Sequence, residues 1–170
     1  NQSITRLKLD GGLSATRGIL IRSRGNVLIE KVSIQKFFVN GIGMYPNGNP
    51  YAQPTARADG NIIRYSQVRN CGDGVVGWTY GSLIDCYGQA NTQVMYNQLI
   101  NIDRVNHTAD IFTRLDFSVG VKFMYNDCYK PDIDGTERWN FHVETWNIQG
   151  GCEFAYNNFY GGGICLDFGG

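Results

Sequence analysis

Six short segments of the chain share one form, in which an apolar residue is followed five positions later by a second apolar residue. The clearest copies read FAYNNF, FMYNDC and VMYNQL. The segments begin at intervals of 25, 34, 31, 29 and 31 residues, and their first residues are Ile4, Ile29, Ile63, Val94, Phe123 and Phe154. A repeat of this length predicts a stacked architecture, because each unit can bury its apolar face only against its neighbours.

The composition favours many short strands joined by turns. The chain holds 22 glycines, and aromatic residues make up 13% of it. Apolar and polar residues alternate along the segments, and no apolar period of 3.6 residues is found. We therefore expect a single all-β domain over residues 1–170. Because the chain begins inside its first repeat, we also expect a mature product or a piece of a longer coil.

Charge and hydropathy argue against several classes of partner. Basic and acidic residues number 15 each, so the net charge is zero and nothing draws the chain to nucleic acid or to an anionic membrane. No apolar run approaches the roughly 20 residues of a membrane span. The five cysteines form no C-x-x-C pair, which argues against a zinc site. We expect them to be small core residues, with at most one disulfide.

One stretch interrupts the repeat. Residues 46–59 contain Pro46, Pro50 and Pro54, which cannot belong to a central strand, so we expect an exposed loop inserted into the second unit. Such a loop either binds a ligand or is a plain excursion of the chain. Each unit is expected to return through a further strand, and residues 82–86 form an extra segment. The expected return strands are 19–21, 42–44, 75–78, 110–112, 141–145 and 164–168.

Three asparagines occupy one position of the repeat: Asn97, Asn126 and Asn157 each lie three residues after the apolar residue that opens the unit. Stacked turn asparagines would satisfy backbone groups along the axis of a coil. With the recurring Ile, Val and Phe residues and the Gly- and Asn-rich turns, they resemble the pectin-lyase-like superfamily. The resemblance implies a right-handed, single-stranded parallel β-helix of about six rungs. Polysaccharide lyases, hydrolases, epimerases, phage tailspikes, adhesins and structural coils share this fold.

A ladder of tyrosines is expected one position before the asparagines. The residues at this position are Arg6, Lys31, Tyr65, Tyr96, Tyr125 and Tyr156. Neighbouring coils lie about 4.8 Å apart, so the four rings can stack on one another. Outside the coil such a ladder would offer a surface for sugar rings, and inside it would form core. The sequence leaves both interpretations open.

The segment FHVET, residues 141–145, carries the strongest candidates for chemistry. If its apolar residues point inward, strand alternation points His142 and Glu144 outward, roughly 7 Å apart. We expect Asp167 beside them one coil later and Asp110 one coil earlier. Carboxylates on one face are what acid–base cleavage of a glycosidic bond requires, and a histidine can serve a lyase or epimerase as base. An ordinary solvated strand face is the alternative.

Other residues are candidates for holding the substrate. Trp78, Tyr80 and Trp146 can stack on sugar rings. Arg114 and Arg138 can hold a sugar carboxylate, because a guanidinium pairs with it bidentately.

A short acidic loop is the candidate metal site. Asp132, Asp134 and Glu137 could bind calcium through hard oxygen ligands, although the complete pattern of a calcium-binding loop is missing. The resemblance points the same way, since calcium-dependent lyases of this superfamily use an arginine base and a carboxylate-bound calcium. An exposed turn is the alternative, and no other cofactor is implied.

Two functions stay open. One is an extracellular or surface-located domain that binds or cleaves a polysaccharide, as a lyase, hydrolase or epimerase. The other is a non-catalytic structural coil of a fibre, phage spike or adhesin. Uncapped ends would expose strand edges, which predicts a homo-oligomer or further β-helix segments stacked on the ends. The long loops and the aromatic residues favour the first function, because a plain rod needs neither.

Overall fold

The computed structural model describes residues 2–46, 54, 56–72, 81–102, 111–130 and 141–168, and only the backbone of residues 111, 112, 141 and 168. Of the 20 strands in these residues, 18 form three parallel sheets of six strands each. Sheet A contains β1 (Gln2–Thr5), β4 (Val27–Glu30), β8 (Ile62–Arg64), β12 (Gln93–Met95), β15 (Lys122–Met124) and β18 (Glu153–Ala155). Sheet B contains β2 (Lys8–Asp10), β5 (Ser33–Gln35), β9 (Gln67–Arg69), β13 (Gln98–Ile100), β16 (Asp127–Tyr129) and β19 (Asn158–Tyr160).

Sheet C receives one strand from each coil as well. It contains β3 (Arg17–Arg22), β6 (Asn40–Tyr45), β10 (Ser82–Cys86), β14 (Ile111–Arg114), β17 (Phe141–Ile148) and β20 (Gly163–Phe168). Each coil passes from sheet A to sheet B to sheet C, and each strand pairs with the equivalent strand of the next coil. The chain is therefore a right-handed parallel β-helix of six rungs, which confirms the fold expected from the repeat.

Two rows of apolar side chains run through the core. The first row runs in register along sheet A through Ile4, Ile29, Ile63, Val94, Phe123 and Phe154. The second runs along sheet B through Leu9, Ile34, Val68, Leu99, Cys128 and Phe159. The four inner members of both rows are fully buried. The five-residue spacing of the sequence is thus the step from the first row to the second.

The turn between sheets A and B holds the expected asparagine ladder. Oδ1 of Asn126 accepts the backbone N–H of Asn97 at 3.0 Å, and Oδ1 of Asn157 accepts that of Asn126 at 2.9 Å. Each amide nitrogen also donates to a backbone carbonyl on the preceding coil, as Nδ2 of Asn126 does to Val94. The ladder satisfies the buried polar groups of this turn, as predicted.

The four tyrosines lie outside the coil, so the core alternative is wrong for them. Their exposure ranges from 40% for Tyr125 to 71% for Tyr156. Successive ring centroids from Tyr65 to Tyr156 are 5.2, 4.9 and 4.9 Å apart, and the rings are within 15° of parallel. Each tyrosine covers the ring faces of its neighbours.

Two expectations about the loops are corrected. Residues 82–86 are not an extra segment but form β10, the sheet C strand of the third coil. The strand expected at 75–78 lies outside the described residues. Part of the stretch 46–59 belongs to the stack, because β7 (Ala58–Asp59) pairs with β11 (Gln89–Ala90). Pro46 is buried, and the rings of Pro46 and Pro54 approach Gly88, so this stretch is not wholly exposed.

Four of the five cysteines belong to the core or pack against it. All five lie in the described part of the chain, none is bonded to another, and Cys71, Cys86 and Cys128 are buried. Within that same part, no helix is long and apolar enough to cross a membrane.

Candidate functional site

The outer face of sheet C carries a cluster of charged side chains. The register pairs Asp85 with Arg114 and Arg114 with Glu144, so the three residues occupy one row on three successive coils. Asp116 follows two residues after Arg114 and joins them. We call these four residues the Arg114 cluster.

One guanidinium holds the cluster together. Nη2 of Arg114 lies 2.6 Å from Oδ2 of Asp116, and Nε of Arg114 lies 3.4 Å from Oε2 of Glu144. The backbone N–H of Trp146 donates to the other oxygen of Asp116 at 3.1 Å. The Asp116 side chain is almost fully buried, whereas the Glu144 side chain is 23% exposed. Of the two carboxylates that contact Arg114, Glu144 is therefore the more accessible to solvent.

Asp85 has a second set of contacts. The Tyr45 hydroxyl donates to Oδ2 of Asp85 at 2.7 Å, and the same hydroxyl lies 3.1 Å from Oδ1 of Asn40. Arg17 donates to this Asn40 oxygen at 3.1 Å, and Asn40 donates to Ser82 at 2.9 Å. A row of neighbouring polar groups thus runs over five coils of sheet C, from Arg17 to Glu144.

Burial raises the pKa of every carboxyl group in the cluster. It brings the pKa of Asp116 to about 7, against the lowering effect of Arg114. Burial likewise raises the pKa of Asp85 and of Glu144, each again opposed by Arg114. The pKa of Arg114 would fall through burial, but its three carboxylate neighbours raise it. Arg114 therefore keeps its positive charge, and the three carboxyl groups compete for that one charge.

Trp146 stands beside the cluster. It is 54% exposed and lies two residues after Glu144 on β17, so both side chains lie on the outer face. Its ring centroid lies 5.7 Å from that of Phe117 in a tilted arrangement. A large aromatic surface therefore faces solvent next to Glu144.

His142 does not project from the surface, and this expectation is wrong. It is fully buried, its ring lies 5.0 Å from that of Phe159, and its Nε2 contacts the carbonyl oxygen of Gly161. A carbonyl only accepts, so this nitrogen carries the proton. Burial lowers the pKa of His142 to about 4, so the ring is neutral near neutral pH.

The inward orientation of His142 has a local cause in the strand. The pairing of β17 with β20 shifts register between Phe141 and Val143. The equivalent residues of β10, Leu83 and Ile84, both belong to the core. Two consecutive residues therefore face inward at this corner, and simple alternation fails across it. Beyond the corner alternation resumes, which places Glu144 outside as expected.

Asp167 is exposed on the last described coil. Its backbone N–H donates to Oγ1 of Thr145 at 2.8 Å. The residue in register with Glu144 is Cys165, so Asp167 lies two residues farther along the neighbouring strand. Leu166, the residue before Asp167, pairs with the buried Thr145. Because successive side chains of a strand point to opposite faces, the Asp167 side chain lies on the outer face.

The position in register with Glu144 on the preceding coil belongs to Arg114, not to Asp110 as expected. Arg114 and Trp146 are the predicted substrate-binding residues that the structure brings beside Glu144. The other predicted site residues lie outside the described part of the chain: Asp110, Trp78, Tyr80, Arg138, Asp132, Asp134 and Glu137. In the described part, no group of three or more His, Cys, Asp or Glu residues could hold a metal ion.

Sequence reasoning missed Asp85 and Asp116. The signal for Asp85 was available, because aligning residues 82–86 with the strand 40–44 places it in one row with Gly43 and Arg114. Asp116 follows the end of β14, where neither strand alternation nor the five-residue spacing predicts its orientation.

The arrangement offers a proton donor, a fixed cation and an exposed aromatic ring on one face of the coil. No family model, no curated protein and no solved structure matches the chain significantly.

Proposed function

We propose that this chain is a polysaccharide-active domain of the pectin-lyase-like kind, which binds an extended glycan across the outer face of sheet C. The observation that supports this is the position of Glu144, which has the largely buried Arg114 beside it on the preceding coil and the exposed Trp146 two residues along its own strand. An aromatic face, a cation and a carboxyl group with a raised pKa are the groups that bind a sugar and protonate a glycosidic oxygen.

Glu144 is the proton donor in this proposal. Because burial raises its pKa, a larger fraction of the group is protonated near neutral pH than in an ordinary glutamate. The proton passes to the glycosidic oxygen as the bond from that oxygen to the anomeric carbon breaks. Asp167, the exposed carboxylate on the next coil, takes a proton from the water molecule that attacks the anomeric carbon.

Arg114 and its buried partners support this chemistry. Its guanidinium can pair with a carboxylate of the substrate, which would then share the cation with Glu144 and Asp116. Asp116 and Asp85 are too deeply buried to contact a glycan directly, so they are positioning residues that hold Arg114 in place. Trp146 provides the face on which a sugar ring stacks.

The partner in this proposal is an extracellular polysaccharide, so the domain would work outside the cell or on a cell or virion surface. The zero net charge does not favour nucleic acid as the partner.

The test is incubation with a panel of neutral and acidic polysaccharides, with detection of new reducing ends and of unsaturated products that absorb ultraviolet light. Glu144→Gln keeps the shape of the side chain and removes its acid, so we expect about a 100-fold or greater loss of turnover with binding retained. Glu153→Gln is the matched control, because Glu153 is exposed at the edge of sheet A. Equal activity of the two variants would reject Glu144 as the acid.

A structural coil is the second candidate function, and one observation favours it. Asp116 and Asp85 are buried and hydrogen-bonded, which is also how a purely structural polar network is built. In that case the wild-type protein cleaves and binds no polysaccharide of the panel on sheet C, and Trp146→Ala leaves all binding unchanged.

A further inference from the structure

A concave surface lies at the turn between sheets A and B, away from the outer face of sheet C. It is an open groove of about 610 Å³. Cationic, aromatic and amide side chains line it, among them those of Arg6, Lys8, Lys31, Tyr65, Tyr96 and Gln98. We call it the turn groove.

The turn groove is positively charged. Arg6, Lys8 and Lys31 line it, and none of its lining residues, all of which lie in the described part of the chain, is acidic. The three cations are exposed, and none forms an ion pair with a residue that the structure describes. A protein of zero net charge therefore concentrates three cations in one groove, which attracts an anionic ligand.

The backbone at this turn is held in a costly conformation on every coil. Arg6, Lys31, Tyr65 and Tyr96 have φ values of 55°, 54°, 52° and 58°, in the left-handed region. Glycine adopts this region without the clash of a Cβ atom, whereas other residues lose roughly 1–2 kcal/mol there. The turn geometry alone would favour glycine, so it does not explain why long cationic and aromatic side chains occupy this row.

Of the two groove tyrosines, Tyr96 offers only its edge and hydroxyl group, whereas Tyr65 ends the ladder, with one face next to Tyr96 and the Arg64 guanidinium 5.6 Å from its ring centroid. Tyr96 is stacked between Tyr65 and Tyr125, with centroids 5.2 and 4.9 Å away. A nucleic acid base stacks on an uncovered ring face, and Tyr96 has none, because both of its faces are covered. A row of hydroxyl groups, with the neighbouring Gln67 and Gln98 amides, suits the hydroxyl groups of a sugar chain.

We propose that the turn groove binds a linear anionic glycan that lies along the coil axis. Its carboxylate or sulfate groups pair with Arg6, Lys8 and Lys31, and its hydroxyl groups bond to the tyrosine hydroxyls and the glutamine amides. The rungs are spaced about 4.8 Å apart, close to the length of one pyranose unit in an extended chain. This site is separate from the Arg114 cluster and does not depend on its chemistry.

The test compares two triple variants that remove the same charge. The groove variant carries Arg6→Gln, Lys8→Gln and Lys31→Gln. The control variant carries substitutions of three exposed cations outside the groove: Arg22→Gln, Arg24→Gln and Lys122→Gln. Binding is measured at about 0.1 M salt, where long-range attraction is screened, to alginate, dextran sulfate, neutral dextran and a single-stranded oligonucleotide.

We expect the groove variant to bind the anionic glycans about tenfold or more weakly than the wild type, and the control variant to lose less than about twofold. Preference for alginate identifies carboxylate as the recognised group, and preference for dextran sulfate identifies sulfate. Tyr96→Phe keeps the ring stack and removes one hydroxyl, so it weakens binding by a smaller factor. Trp146→Ala removes the ring proposed to bind glycan on sheet C, so the same tenfold loss caused by the groove substitutions in a Trp146→Ala background separates the turn groove from the proposed catalytic site.

Three results would overturn the proposal. The first is an equal loss of affinity in the two triple variants, which would show unspecific attraction by charge. The second is wild-type binding of neutral dextran as tight as that of the anionic glycans, or no binding of either. The third is tighter binding of the oligonucleotide, which would make nucleic acid the ligand of the groove.

Discussion

The backbone N–H of Asn97 donates a 3.0 Å hydrogen bond to Oδ1 of Asn126, the residue that occupies the same turn one coil later. Nδ2 of Asn97 contacts the same oxygen at 3.1 Å. The amide of Asn126 in turn donates to the carbonyl of Val94 and to Oδ1 of Asn157, at 2.9 and 3.0 Å. A single side chain thus satisfies polar groups on both neighbouring coils.

Asn126→Ala should therefore lower the free energy of unfolding by about 2–4 kcal/mol, because it leaves several buried donors and acceptors without partners. Denaturant unfolding measures this change. Asn158→Ala is the control, since the Asn158 side chain is exposed and bonds to the exposed Asp127; it should stay within about 0.5 kcal/mol of the wild type. A similar, small effect of both substitutions would contradict the ladder.

Phe123→Ala tests the core of sheet A. Phe123 is fully buried, with its ring 6.4 Å from those of Phe154 and Phe159. The substitution leaves a cavity and should cost about 3–5 kcal/mol of unfolding free energy. Lys122→Ala on the same strand removes only an exposed ion pair with Glu153, so it should cost less than about 1 kcal/mol. An unchanged unfolding midpoint for Phe123→Ala would reject the assigned core.

The rows of sheets A and B could be predicted from the sequence because their spacing is short and uninterrupted. Five residues separate the two core positions of each coil, and one two-residue turn joins the strands, as at Lys31 and Val32. No loop enters this part of any coil. Strand alternation and the position of the asparagines therefore place the side chains correctly.

Sheet C could not be predicted to the same accuracy, for two physical reasons. Stretches of different length lead from sheet B to sheet C, so the register that pairs Asp85, Arg114 and Glu144 cannot be counted along the sequence. At the inner corner, two consecutive residues face the core, so alternation through β17 gives the wrong orientation for His142. The sequence thus identified Glu144, Arg114 and Trp146 as site candidates without their buried partners.

Two substitutions of Tyr96 measure the backbone strain of this turn separately from the stacking of the rings. Its φ of 58° favours glycine over alanine, whereas both substitutions remove the ring and its two stacking contacts. Tyr96→Gly should therefore be about 1 kcal/mol more stable than Tyr96→Ala. Thermal or denaturant unfolding of the pair checks the difference. If alanine were the more stable residue at position 96, the left-handed conformation of this turn would be wrong.

The last prediction concerns the pH dependence of stability at Asp116. Burial raises the pKa of its carboxyl group to about 7 in the folded protein, from 3.8 for an unperturbed aspartate. Between these values the folded protein holds a proton that the unfolded chain has lost. The contribution of Asp116 to the free energy of unfolding therefore falls as the pH rises from about 4 to about 7.

Asp116→Asn removes this titration and keeps the oxygen that accepts the N–H of Trp146. The free energy of unfolding of the wild type, minus that of the variant, should fall by on the order of 2–4 kcal/mol between about pH 4 and pH 7. His142, with its pKa lowered to about 4, contributes a slope of opposite sign, but it is present in both proteins and cancels in the difference. If the difference in unfolding free energy between the wild type and Asp116→Asn did not change with pH, this carboxyl group would stay ionised beside Arg114 over the whole range.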